Sequence, residues 1–153
     1  MDETLRSRCR AALKRWLEFA SENLLRNVPG HPELAYYGTG ESAHWAVQSN
    51  MNVAAALAVA GVEESDPAMM ERALSLFRYA MRTHVTGDLA ATDNAQWGRH
   101  WISVLGAERM THGVNALEPH FTGEDRERYR AFRFAEAEFL LREYPVKANM
   151  LNS

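Results

Sequence analysis

Two short stretches concentrate the residues that could do chemistry. The first, Tyr36-Tyr37-Gly38-Thr39-Gly40-Glu41-Ser42-Ala43-His44-Trp45, leads into an apolar block. His44 and Gln48 fall four residues apart, on one face of a helix. Histidine can accept or give a proton near neutral pH. Trp45 and the tyrosines are flat surfaces of the kind on which sugar rings rest. The second stretch, Asp88-Leu89-Ala90-Ala91-Thr92-Asp93-Asn94-Ala95-Gln96-Trp97, precedes another apolar block. Asp93 or Asn94 is the expected N-cap there. Trp97, His100 and Trp101 then share one helical face, which Glu108 and Asn115 continue, with Arg109 and His112 beside it. A plainer reading stays open at each position: Trp45 packs between helices, His44 bonds to a loop carbonyl, and His100 joins an interhelical hydrogen-bond network.

Other chemistries find little support. Glu108 and His112 are spaced as two helical ligands, but HExxH, CxxC and aspartate-rich loops are absent, so neither metal nor cofactor is expected. Gly38-Thr39-Gly40 fits no phosphate-loop pattern and no GxSxG occurs. Cys9 sits on an apolar stripe and is expected to be inert core. His31, His84 and His120, at helix ends or connectors, receive no role.

The elements that position these residues read as helices over a single domain, residues 1–153. Hydrophobic residues make up 46% and charged residues 24%, as in an ordinary globular chain. The net charge of −3 gives no field to gather nucleic acid. No apolar run approaches the roughly 18 residues of a membrane span, and the first residues lack a signal-peptide pattern, so a cytoplasmic location without membrane contact is expected. Five helical blocks follow from periodicity and punctuation. The first runs from about Glu3 to Arg26, its stripe formed by Leu5, Cys9, Ala12, Leu13, Trp16, Leu17, Ala20 and Leu24. Alanine-rich Ser42–Ala60 reads as buried on most sides. Asp66-Pro67 caps a third block ending near His84. The fourth spans about Ala95 to Glu118, again with little polar face. The fifth opens at Thr122 with Asp125 as a capping-box partner, turns Phe132, Ala135, Phe139 and Leu140 inward, and ends at Pro145.

Outer amphipathic helices alternating with buried ones imply an all-α array of antiparallel α/α hairpins, a partial α/α toroid of about five long helices. In such an array the second and fourth helices run the same way. Their entry loops therefore meet at one end, where a site belongs, while Gly61–Ser65 and Glu118–Gly123 are plain connectors at the other.

Tyr37-Gly38-Thr39-Gly40-Glu41-Ser42-Ala43-His44-Trp45-Ala46-Val47-Gln48-Ser49-Asn50 and Trp97-Gly98-Arg99-His100-Trp101-Ile102-Ser103-Val104-Leu105-Gly106-Ala107-Glu108-Arg109-Met110 resemble the α/α-toroid region of heparinase II/III-like proteins, within the six-hairpin glycosidase and polysaccharide lyase group. The resemblance implies a carbohydrate-active chain of lyase or glycosidase type with substrate along a cleft at one end. It differs in having fewer helices than a full toroid and no β-sandwich. In lyases of that group a tyrosine or histidine acts as base, and an asparagine or arginine neutralises the uronate carboxylate. From their position at that end of the array, His44, His100 and Tyr37 are the expected catalytic residues. Trp45, Gln48, Asp93, Asn94, Trp97, Trp101 and Asn149 (or Asn152) are expected to bind substrate, and Glu41 with Asp93 would be the carboxylate pair of a glycosidase. The expected partners are a carbohydrate and further copies of the chain meeting at the open toroid edge. The competing expectation is a non-enzymatic oligomerising or sugar-binding module.

Overall fold

Two small-residue helices, α2 (His44–Glu64) and α4 (Trp101–Leu117), lie side by side and run parallel. Their register is read from close approaches: a Cβ on Gly106 would stand 3.0 Å from Met51 Sδ and 3.6 Å from Gln48 Cα, and one on Gly113 would stand 2.3 Å from Ala55 Cα. Both numbers rise together along the two chains, which gives the parallel sense expected of helices separated by one antiparallel partner. This computed structural model describes residues 3–144. It is mostly helical, with α1 (Glu3–Asn23), a two-stranded hairpin of β1 (Leu25–Val28) and β2 (His31–Tyr37), then α2, α3 (Pro67–Thr83), α4, a 3-10 turn at Glu118–His120, and α5 (Gly123–Glu143). One buried apolar cluster runs from Leu17 of α1 through α2, α3 and α4 to Phe132 of α5.

Local chemistry sets most of the helix ends. Asp66 caps α3 by accepting the N–H groups of Ala68 at 2.9 Å and Met69 at 3.2 Å, with Pro67 at the first helical position. Thr122 and Asp125 form the reciprocal capping box of α5. Asp125 also receives a two-pronged bond from Arg78, both arms 2.9 Å, which ties α5 to α3. Burial raises the Asp125 carboxyl, but Arg78 and the Thr122 N–H outweigh it and hold the group below the ordinary aspartate range. Ser65 closes α2 in the left-handed conformation at φ 53°.

Four expectations need correction. The segment after α1 is a hairpin, not a loop, so the chain is not purely helical. Asn27-Val28-Pro29-Gly30 makes its turn, with Gly30 at φ 79° and a bulge between Asn27 and Val28. Its strand pattern escapes periodicity because Leu34 and Ala35 are buried in succession instead of alternating. On α1, only Leu17 and Ala20 are buried; Leu5, Leu13, Trp16 and Phe19 are exposed, and so is Cys9. That helix meets α2 through exposed pairs, Arg10–Glu63 and Lys14–Glu64, of the sort that contribute little. The third correction is the start of α4, six residues later than expected. Gly98 at φ 133° and Arg99 at φ 54° break any helix there. A side chain on Gly98 would stand 2.5 Å from His84 Nε2, so glycine is required. Finally, α4 has a wet face: Glu108, Arg109, Thr111, His112 and Asn115 are exposed. By contrast α2 is buried along most of its length, as expected. Among the described residues no helix is long and apolar enough to cross a membrane.

The close α2–α4 approach has a measurable consequence. Alanine is favoured over glycine inside an exposed helix by about 1 kcal/mol. At position 113 the clash with the Ala55 backbone outweighs that gain, so Gly113→Ala is expected to lower unfolding free energy by about 1–3 kcal/mol in urea titration. Gly123→Ala, with nothing within 4 Å of the added atom, should leave stability unchanged or slightly raised.

Candidate functional site

Because α2 and α4 are parallel and in register, their first turns meet. His44 opens α2, and His100 is the N-cap of α4, its Nδ1 accepting the Ile102 N–H at 3.3 Å. The two imidazoles stack with centroids 3.8 Å apart and planes within 6°. Accepting at Nδ1 leaves the neutral His100 ring with its hydrogen on Nε2. Burial, and then the neighbouring His100, hold the His44 pKa below its ordinary value, while the charge of Glu136 pulls weakly the other way. His44 is therefore neutral near pH 7 and able to take a proton. Trp45 and Trp101 follow directly on the two helices, 61% and 49% exposed, and meet edge to face with centroids 6.3 Å apart. Two flat rings open to solvent thus border the stacked histidines.

The entry loops are stitched together at the same end. Thr92 donates its hydroxyl to the Thr39 carbonyl and its N–H to that of Gly40; Tyr79 also donates to the Gly40 carbonyl, and burial pushes its phenol up to about 12. Ser42 donates both its hydroxyl (2.7 Å) and its N–H (3.1 Å) to Asp93 Oδ2, and Ala95 N–H reaches Oδ1. The Ser42 hydroxyl above all keeps the Asp93 carboxyl below the usual range. Asp93 is thus a loop staple with both oxygens engaged. Neither it nor Asn94, a left-handed turn residue at φ 60°, caps α4.

The remaining expected residues scatter. Trp97 is only 2% exposed; its indole N–H donates to the Ala80 carbonyl at 3.0 Å and Thr83 Oγ1 at 3.1 Å, so it has no face for a ligand. The late start of α4 puts it in a bridge beside His84 instead of on the helix. Tyr37, at the end of β2, donates its N–H to Asn50 Oδ1 and packs near Trp16. Asn50 lies roughly 9 Å along α2 from His44, so Tyr37 is positioned by the hairpin and not by the histidine pair. Gln48 is buried one turn inside His44, its amide nitrogen without a partner among the described residues, as is Ser103 Oγ one turn inside His100. Asn149 and Asn152 lie outside the described residues.

Glu136, His84 and Arg99, none of which was given a role from sequence, form a buried polar link. Glu136 is buried, with Oε1 accepting from His84 Nε2 at 2.9 Å and from the Arg99 N–H at 2.7 Å. His84 Nδ1 accepts the Thr86 N–H, so its hydrogen sits on Nε2 and points at the carboxylate. These bonds hold the residue preceding His100 against α5. A signal existed: Glu136 falls one turn after Phe132, on the stripe that otherwise turns apolar groups inward. Among the described residues no cluster of His, Cys, Asp or Glu could hold a metal. An open cavity of about 730 Å³ lies elsewhere, between α4 and α5. No family model, curated protein or solved structure matches the chain.

His44 should titrate anomalously. With the folded His44 pKa below the ordinary 6.5 or so, stability is fully present above that pH and is lost as pH falls from there through the lowered folded value. An NMR titration of the His44 ring should show the depressed midpoint. His100→Asn, which keeps a capping oxygen, should move it part of the way back, and His44→Gln should remove this component of acid sensitivity in denaturation experiments.

Proposed function

We propose that the chain is part of an α/α-toroid protein that contacts oligo- or polysaccharide at the end where α2 and α4 begin. The observation that carries this reading is the exposed Trp45–Trp101 pair bordering the stacked His44–His100 pair. Aromatic faces suit the apolar faces of sugar rings, and a neutral imidazole suits proton abstraction. The parallel α2 and α4 and the joined entry loops agree with the resemblance to heparinase II/III-like proteins and, more widely, to the six-hairpin glycosidases.

Between the two reaction types, elimination is favoured over hydrolysis. Asp93 is engaged at both oxygens and exposed, which ill suits one half of a glycosidase carboxylate pair. In an elimination, neutral His44 takes the proton from the carbon beside a uronate carboxylate. The electron pair forms a carbon–carbon double bond as the glycosidic oxygen leaves, and that oxygen, steadied by a hydrogen bond from His100 Nε2–H, receives the proton His44 had taken, which returns His44 to its neutral form. A second reading, a non-enzymatic module that self-associates, is favoured by one observation: the exposed stripe of Leu5, Leu13, Trp16 and Phe19 along α1. A monomeric mass by light scattering would remove that reading.

Uronate-containing oligosaccharides are expected to quench tryptophan fluorescence saturably. Trp45→Ala and Trp101→Ala should each weaken binding about tenfold with little change in melting temperature, because both rings are already exposed. His44→Ala should abolish the new ultraviolet absorbance of an unsaturated product while leaving binding. Binding indifferent to both tryptophan variants would sink the proposal.

A further inference from the structure

We infer that the groove between α4 and α5 binds a ligand that carries a phosphate or sulfate ester next to a flat ring. The arginines around α5 fall into two groups. On the side of α5 that faces α3, every guanidinium is matched: Arg78 with Asp125, Arg82 with Asp88 and Glu33, Arg128 with Asp88 and Glu124. The α4-facing side differs. Arg126, Arg130 and Arg133 recur at four- and three-residue steps and line the same open cavity of about 730 Å³. Arg126 is spent on the carbonyls of Phe121, Thr122 and Glu118. Among the described residues Arg130 and Arg133 have no carboxylate and no hydrogen-bond acceptor. Instead the Arg130 guanidinium lies 5.6 Å from the centre of the Phe134 ring, and that of Arg133 lies 5.5 Å from the centre of Tyr129.

A guanidinium laid on a ring keeps its N–H edge free, and that planar fork matches the oxygens of a tetrahedral anion. Residues three apart on a helix stand about 5–6 Å apart at Cβ, so two forks can grip one such group. Three arginines against one carboxylate, Glu118, leave the groove locally at plus two in a chain whose net charge is −3. That local charge suits a phosphate ester, which carries about −1.5 to −2 near neutral pH. Phe134, exposed beside Arg130, supplies a face for the ligand's ring. This site is separate from the proposed sugar edge and independent of it.

Titration of the full chain with phenyl phosphate, phenyl sulfate, inorganic phosphate and phenol, followed by NMR of the arginine side chains, tests the inference. Phenyl phosphate or phenyl sulfate should saturate the Arg130 and Arg133 signals, the tighter of the two identifying the preferred ester. Inorganic phosphate should bind more weakly and phenol not measurably. Arg130→Gln and Arg133→Gln should each weaken binding about tenfold, Phe134→Ala should remove the advantage over inorganic phosphate, and added salt should weaken all of it. Arg133→Lys, which keeps the charge without the fork, should fall between. Trp45→Ala should leave it unchanged. No saturation by either ester, or unaltered affinity in the double glutamine variant with helix content intact, would overturn the site.

Discussion

The structure depends on one steric constraint, the contact of α2 and α4 at distances that only small residues allow. Gly113 meets the Ala55 backbone and Gly106 meets Met51. Two parallel helices this close must keep one register, because a larger side chain at either glycine would push them apart. That register carries the first residue of α2 level with the N-cap of α4, and the histidine stack and the tryptophan pair follow from it. Helix propensity opposes the arrangement, since each glycine weakens α4 on its own. Packing prevails because the apolar seam between the helices removes both from water along most of α2.

A second layer of control is polar. The long connection between α3 and α4 buries Ala91 and Trp97 but leaves its other apolar residues partly or fully exposed, and hydrogen bonds pin it at both ends. Trp97 is locked beneath α3 by its indole hydrogen bonds, and Arg99 is held to α5 by Glu136, which His84 also engages. In a dry interior such bonds are effective because the unpaired alternative is costly. They decide where α4 begins and therefore which way His100 and Trp101 face. The site at the helix ends thus rests on a glutamate and a histidine that do not line it.

Much of the helical framework was legible from residue patterns. Asp66-Pro67 and the Thr122–Asp125 pair are local devices whose partners lie within a few residues, so no distant contact was needed to read them. The parallel sense of α2 and α4 followed from alternation alone. Less legible were features whose cause is remote in sequence. The hairpin forms because β2 packs on α3 and donates to Asn50, which reaches on to the Leu76 carbonyl. Periodicity placed Trp97, His100 and Trp101 on one helix face, but the left-handed Gly98 and Arg99 interrupt it. Likewise the apolar stripe of α1 promised burial that the fold does not provide beyond Leu17 and Ala20.

By itself, then, the order of residues determined that most of the chain is helical, the N-caps of α3 and α5, and the end at which two aromatic, histidine-bearing stretches would meet. These depend on hydrogen bonds and side-chain periods that act within a few turns. Tertiary structure alone decided which of those aromatics faces solvent, that Asp93 staples a loop instead of capping a helix, and that Glu136 stands behind the histidines. It also decided that, among the described residues, Arg130 and Arg133 lie on aromatic rings without a hydrogen-bonding partner while Arg78, Arg82, Arg126 and Arg128 are bonded. Each of these depends on groups from 37 to 53 residues apart being brought within hydrogen-bond or ring-contact distance, or on which neighbours a helix face meets. No local pattern encodes that, because the energy of such a contact exists only once the core has closed around it.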